Sequence, residues 1–119
     1  IISILLNIGI KNIFMRERPL VRRLVEETSF SFPSGHTTAA VSLYGIILFF
    51  IIKSNLTKSK KIIYSIGLIM LMFFIGFSRI YLGAHFASDV IGAIIISNAF
   101  LILYTAIIEK FILKNRQKS

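Results

Sequence analysis

The sequence predicts an all-α fold, a transmembrane helical bundle, on three observations. Hydrophobic residues make up 55% of the 119-residue chain, and mean hydropathy is +0.81. Uncharged runs of sixteen residues separate His36 from Lys53, seventeen separate Lys61 from Arg79, and nineteen separate Asp89 from Glu109. At about 1.5 Å per residue, each run with a flanking turn matches a hydrocarbon core about 30 Å thick. A soluble protein of this length would lack the polar surface to cover three such helices.

The elements follow in order. Residues Ile1 to Ile10 read as the end of an apolar helix, and since the chain begins without a methionine it is expected to be one N-terminally incomplete membrane-embedded domain over residues 1–119. No secretory signal is expected, because charge follows the apolar stretch and no small-residue cleavage site is present. A basic segment from Lys11 to Arg23 leads into a polar connection through Phe32. Three spans are predicted, Ser34 to Ile52, Lys61 to Phe77 and Ala84 to Ile108. Pro33-Ser34-Gly35 reads as a helix start, with serine capping free amides. Gly83 interrupts the chain before the last span.

Charge placement orients these spans. The loop from Lys53 to Lys61 carries four lysines and no acid, and the tail carries Lys110, Lys114, Arg116 and Lys118. The positive-inside rule puts both on the cytoplasmic face and the Arg79 to Asp89 turn, with His36, on the outer face. Lys11, Arg16, Arg18, Arg22 and Arg23 then also lie outside, against the bias. Glu17, Glu26 and Glu27 offset part of that charge, and the remainder suits an anionic ligand.

Several chemistries are excluded. The chain has no cysteine, so disulfides, thiolate metal sites and cysteine nucleophiles are absent. Two histidines and five scattered acids argue against a protein-only metal centre. No ionisable residue occupies the middle of a span, which argues against a channel or transporter. No nucleic-acid partner is expected.

Three clusters carry candidate chemistry. His85 and Asp89, four apart, are expected to share a helix face, so that the carboxylate orients one ring nitrogen and frees the other as a nucleophile. Arg79, Lys11 and Arg18 come from separate segments and suit the equatorial oxygens of a transferring phosphoryl group. Ser34 and Gly35 form a helix N-terminus suited to phosphate, and His36, immediately after them, is placed to act as general acid.

Taken together, Lys11 with six residues to Arg18-Pro19, then Pro33-Ser34-Gly35-His36, then Ser78-Arg79 with five residues to His85 and three to Asp89 resemble the three-part signature of the type 2 phosphatidic acid phosphatase family, in its membrane lipid phosphatase branch. The resemblance implies a helical bundle, typically of six membrane helices, of which this chain holds three full spans and the end of a fourth. It implies that His85 attacks phosphorus, Asp89 orients it, His36 protonates the leaving oxygen, and Lys11, Arg18, Ser34, Gly35 and Arg79 hold the phosphoryl group. No metal or cofactor is implied. Vanadate-dependent haloperoxidases and soluble acid phosphatases resemble the same signature but are soluble.

The expected function is hydrolysis of a lipid phosphate or diphosphate at the bilayer through a phosphohistidine. Phosphatidate, phosphatidylglycerol phosphate and an isoprenyl diphosphate are the candidate substrates, the last slightly favoured because Arg16, Arg22 and Arg23 offer spare cations to a second phosphate. The alternatives are a lipid phosphotransferase and a non-catalytic lipid-binding member of the fold. Richness in isoleucine, lysine and asparagine points to a bacterial plasma membrane.

Overall fold

The computed structural model describes residues 1–21 and 23–117. It contains four helices, α1 (Ile2–Phe14), α2 (Gly35–Lys53), α3 (Lys58–Tyr81) and α4 (Ala87–Arg116), with no strand among the described residues. The last three are long and apolar enough to cross a membrane.

Polarity runs inside out. The buried residues of α1 are Ser3, Asn7 and Lys11, one polar stripe at a spacing of four, while Ile2, Leu5, Leu6 and Ile8 are exposed. In water such a helix would not dock, but in lipid the apolar side needs no cover and polar groups gain most from pairing inward. Asn7 Nδ2 accordingly donates to Thr38 Oγ1 at 2.9 Å and to the Pro33 carbonyl at 3.4 Å. The helix runs on past the expected Ile10 to Phe14, so Lys11 lies within it and not in a loop. It ends at Met15, whose left-handed φ of 45° lets its N–H close onto the Lys11 carbonyl at 2.9 Å.

Helix α2 packs against all three others. Its start is as expected: Ser34 is the N-cap, accepting from the Thr37 N–H at 3.5 Å and the Thr37 hydroxyl at 3.0 Å. Buried Thr37, Thr38, Ala40, Val41 and Ser42 are small, which permits close helix approach. At Gly45 a Cβ would stand 2.3 Å from Leu101 Cδ1 of α4, so a larger residue there would require the Leu101 side chain to shift.

At the far end Lys53 pairs with Glu109, and Lys61 Nζ donates to the Ile52 carbonyl at 2.7 Å. The Lys53 to Lys61 loop and the C-terminal part of α4 therefore share one end of the bundle, as the charge pattern required. The opposite end carries both histidines. There the Phe32 ring lies over the backbone of Gly92, where a Cβ would come within 2.3 Å of Cε2, and packs against Phe14 with centroids 5.0 Å apart. That wedge anchors the Phe32-Pro33-Ser34 corner on α4.

Candidate active site

His85 is placed by the end of α3. The helix continues beyond the expected Phe77 to Tyr81, taking Arg79 into its last turn. Gly83 then adopts φ 69°, a left-handed conformation that glycine takes without steric cost. The chain doubles back so that the Arg79 carbonyl accepts from both the Ala84 N–H, at 3.2 Å, and the His85 N–H, at 3.3 Å. His85 is 3% exposed.

Helix α4 starts at Ala87 and not Ala84, so His85 and Asp89 do not share a helix face as expected. His85 is held in the turn ending α3, while Asp89, in the first turn of α4, reaches back to the Phe86 N–H at 2.7 Å, the bond that favours an acid at a helix start. The two side chains still meet, with His85 Nδ1 3.7 Å from Asp89 Oδ2. That is within ion-pair range and beyond a hydrogen bond. Nδ1 has no hydrogen-bond partner among the described residues.

Arg18 is the hub of the cationic side. Its Nε donates to the Ser29 carbonyl at 2.7 Å, Nη1 to the Ala84 carbonyl at 2.7 Å, and Nη2 to Ser29 Oγ at 3.2 Å. Nη1 also lies 3.3 Å from His85 Nε2. A guanidinium has donors only, so as a hydrogen bond this contact pairs with the tautomer that leaves Nε2 unprotonated and carries the ring proton on Nδ1, facing Asp89. Burial lowers the His85 pKa to about 4, with the charges of Arg18 and Lys11 adding to that and Asp89 opposing it. The imidazole is neutral at neutral pH, with its lone pair on the Arg18 side.

Lys11 Nζ donates to the Phe30 carbonyl, and Arg79 Nη2 donates to Glu27 Oε1. Glu27 Oε2 stands 3.6 Å from Arg18 Nη2, so one carboxylate bridges the two arginines expected to hold phosphate. Lys11, Arg18, Glu27, Ser29, Gly35, His36 and His85 line a cavity of about 300 Å³. Seven expected residues thus converge at one end: His36 and Gly35 at the start of α2, Lys11 from α1, Arg18 from the loop, Arg79 through Glu27, and His85 backed by Asp89. Ser34 lies fully buried behind Gly35, its N–H donating to the Asp89 carbonyl at 3.2 Å.

Arg16, expected as a spare cation for a second phosphate, is turned elsewhere. Its Nη1 donates to Asp89 Oδ1 at 2.9 Å and Ser88 Oγ at 2.7 Å, and its guanidinium sits 4.4 Å over the Phe86 ring. Arg16 and Arg18, two positions apart, both reach the junction of α3 and α4, Arg16 at Ser88 and Asp89 and Arg18 at Ala84 and His85. Arg22 lies outside the described residues. Arg23 is close enough to repel the charge of Arg18.

Sequence reasoning did not single out Glu27, Ser29 or Ser31. The Ser31 hydroxyl donates to Asp89 Oδ2, and Glu27 appeared only as one of three offsetting acids. An acid nine positions before His36 in a cationic loop is the only signal the sequence offers for it.

A four-helix membrane assembly whose two histidines, three cations and buried aspartate gather at one end has the form of a phosphate-handling membrane protein. The PAP2 superfamily profile matches residues 1–113, and the chain belongs to that superfamily. It is 42% identical over 117 residues to phosphatidylglycerophosphatase B of Bacillus subtilis, covering 96% of this chain and 56% of that protein. It is 29% identical over 102 residues to the undecaprenyl-diphosphatase BcrC of the same organism, covering 82% of this chain and 48% of that protein. Among solved structures, a transmembrane PAP2-type phosphatidylglycerolphosphate phosphatase from Bacillus subtilis superposes with a TM-score of 0.82 at 38% identity, over 91% of this chain and 54% of the other. The chain spans about half the length of these relatives.

Proposed function

We propose that this protein is a membrane phosphatase that removes a phosphoryl group from a lipid phosphate through a phosphohistidine on His85. The observation that carries the reading is the Arg18–His85 contact, which as a hydrogen bond takes an unprotonated Nε2, beside a cavity walled by Lys11, Arg18 and His36. In the first step the Nε2 lone pair forms a bond to phosphorus, the bond from phosphorus to the lipid oxygen breaks, and His36 gives that oxygen a proton. Lys11, Arg18 and Arg79 neutralise the equatorial oxygens, while Ser34 and Gly35 supply a helix N-terminus. In the second, His36 takes a proton from water as its oxygen attacks phosphorus, and the N–P bond breaks to restore His85 and release phosphate.

The cations in place do the work a metal would do, so the reaction is metal-independent in this reading. The site lies at the bundle end opposite the lysine-rich loop, which by the positive-inside rule is the extracytoplasmic face. With Arg16 committed to Asp89, the case for a diphosphate rests on Arg23 among the described residues, and the more similar relative bears the name of a phosphatidylglycerophosphatase. A lipid phosphomonoester such as phosphatidylglycerol phosphate therefore moves ahead of an isoprenyl diphosphate. The test is phosphate release from dioctanoyl phosphatidic acid by the detergent-solubilised full-length protein in excess chelator. Release abolished by His85→Ala supports the reading, and release that stops with chelator or survives His85→Ala overturns it.

A further inference from the structure

Asp89 is bound on every side except the one that faces His85. Oδ1 accepts from Arg16, and Oδ2 accepts from the Ser31 hydroxyl and from the Phe86 N–H. Arg16 is itself fixed by Ser88 Oγ and by the Phe86 ring beneath it. The Ser31 N–H donates to the Arg16 carbonyl at 2.7 Å, so the two loop segments that reach Asp89 are locked to each other before either touches it. The Asp89 side chain is fully buried, and Arg16 is the only cation the structure pairs with it among the described residues.

We infer that Arg16 and Ser31 are positioning residues that fix the Asp89 carboxylate opposite His85 Nδ1, where it meets the positive charge that attack by Nε2 puts on the ring. The inference rests on the proposed function, in which His85 is the nucleophile. A carboxylate whose charge is shared with a guanidinium and two further donors is a weak acceptor for a fourth. When attack puts positive charge on the ring, the same carboxylate, 3.7 Å away, is close enough to close onto Nδ1–H. Removing Arg16 takes a cation away from Asp89, so the carboxylate favours the protonated ring more strongly while losing the fixed direction from which it meets Nδ1.

The groups facing His85 are Arg18 from the loop, Lys11 from α1 and Asp89 from α4, with Glu27 and Arg79 behind Arg18. Among these groups only Asp89 is touched by the side chains of Arg16 and Ser31, and the Ser31 backbone, which also favours the protonated His85 ring, is kept in Ser31→Ala. The measurement is ring NMR titration of His85 in the detergent-solubilised full-length protein, assigned by loss of the signal in His85→Gln. Arg16→Gln is expected to raise the His85 midpoint by about one unit, Ser31→Ala by less in the same direction, and Arg16→Lys to restore most of the wild-type value. An unmoved or lowered midpoint in both Arg16→Gln and Ser31→Ala overturns the inference, whatever the activity. The titration needs no turnover, so it stands apart from phosphate release in His85→Ala, whose persistence sinks the functional reading alone. As a second readout, kcat for dioctanoyl phosphatidic acid is expected to fall about 10-fold in Arg16→Gln with KM within about twofold; a loss confined to KM places Arg16 on the substrate and contradicts the positioning role.

Discussion

Arg18 Nη1 stands 3.3 Å from His85 Nε2, so the candidate nucleophile and the principal candidate cation for phosphate touch. A phosphoryl group entering between them exchanges one contact for two, an oxygen on the guanidinium and phosphorus facing the lone pair. Arg18 also secures the Ser29, Phe30 and Ala84 carbonyls. Replacement by lysine keeps the charge and loses the fork, so Arg18→Lys is expected to lower kcat/KM about 100-fold with a modest fall in Tm. Arg18→Ala is expected to lower both further, because buried carbonyls lose their donors. Steady-state kinetics and thermal melts of the two variants check the order.

Glu27 bridges Arg79 and Arg18, the charge position a phosphate takes in the proposed function. Phosphate must displace that carboxylate or share its arginines. In Glu27→Gln the competition weakens, and the inhibition constant for inorganic phosphate or vanadate is expected to fall about 10-fold. Inhibition curves at fixed pH read this directly, and an unchanged constant would place Glu27 outside the anion site.

The neutral state of His85 has a pH signature. Burial and the charges of Arg18 and Lys11 bring its pKa to about 4, below the ordinary value of 6.5. The acid limb of kcat/KM assigned to His85, identified by its movement in Arg16→Gln, is therefore expected near pH 4. The stability effect has the matching sign. The unfolded chain binds the proton that the folded site refuses, so stability is full above pH 6.5 and is lost as pH falls from 6.5 towards 4. Melting temperatures across that window are expected to fall more steeply for the wild type than for His85→Gln.

Backbone approach places the loop that carries Ser34. A Cβ at Gly92 would stand 2.3 Å from Phe32 Cε2, whereas one at Gly67, on α3, would meet nothing within 4 Å. Gly92→Ala is expected to cost about 1–3 kcal/mol and to lower activity by shifting the Phe32-Pro33-Ser34 corner, while Gly67→Ala is expected to leave both intact. Urea or thermal unfolding beside an activity assay distinguishes the pair.

The pattern of spans was legible because uncharged length is a local property. Ser34 caps α2 as its neighbours Pro33 and Gly35 indicate, and Lys53 meets Glu109 at the end where the charge pattern gathers cations. Helix ends were less legible: α3 and α4 each run beyond their apolar cores, since Arg79 and Lys110 to Arg116 are helical despite their charge. The candidate residues were legible through motif spacing, but their pairing was not. Arg16 reaches Asp89 across 73 positions, Ser31 across 58, and Glu27 reaches Arg79 across 52, and no local pattern encodes contacts made only by folding. The offset of Asp89 from His85 likewise depends on where α4 begins, a shift of three residues from Ala84 to Ala87.

The central claim is covalent catalysis by His85, and mass spectrometry of an alkali-quenched reaction tests it most directly. Full-length protein mixed with excess dioctanoyl phosphatidic acid and quenched within the first turnovers is expected to carry phosphate on the peptide containing His85, and on no peptide in the His85→Ala variant. Phosphate release by the wild type with no phosphorylated His85 peptide at any quench time, together with undiminished release by His85→Ala, would contradict the account.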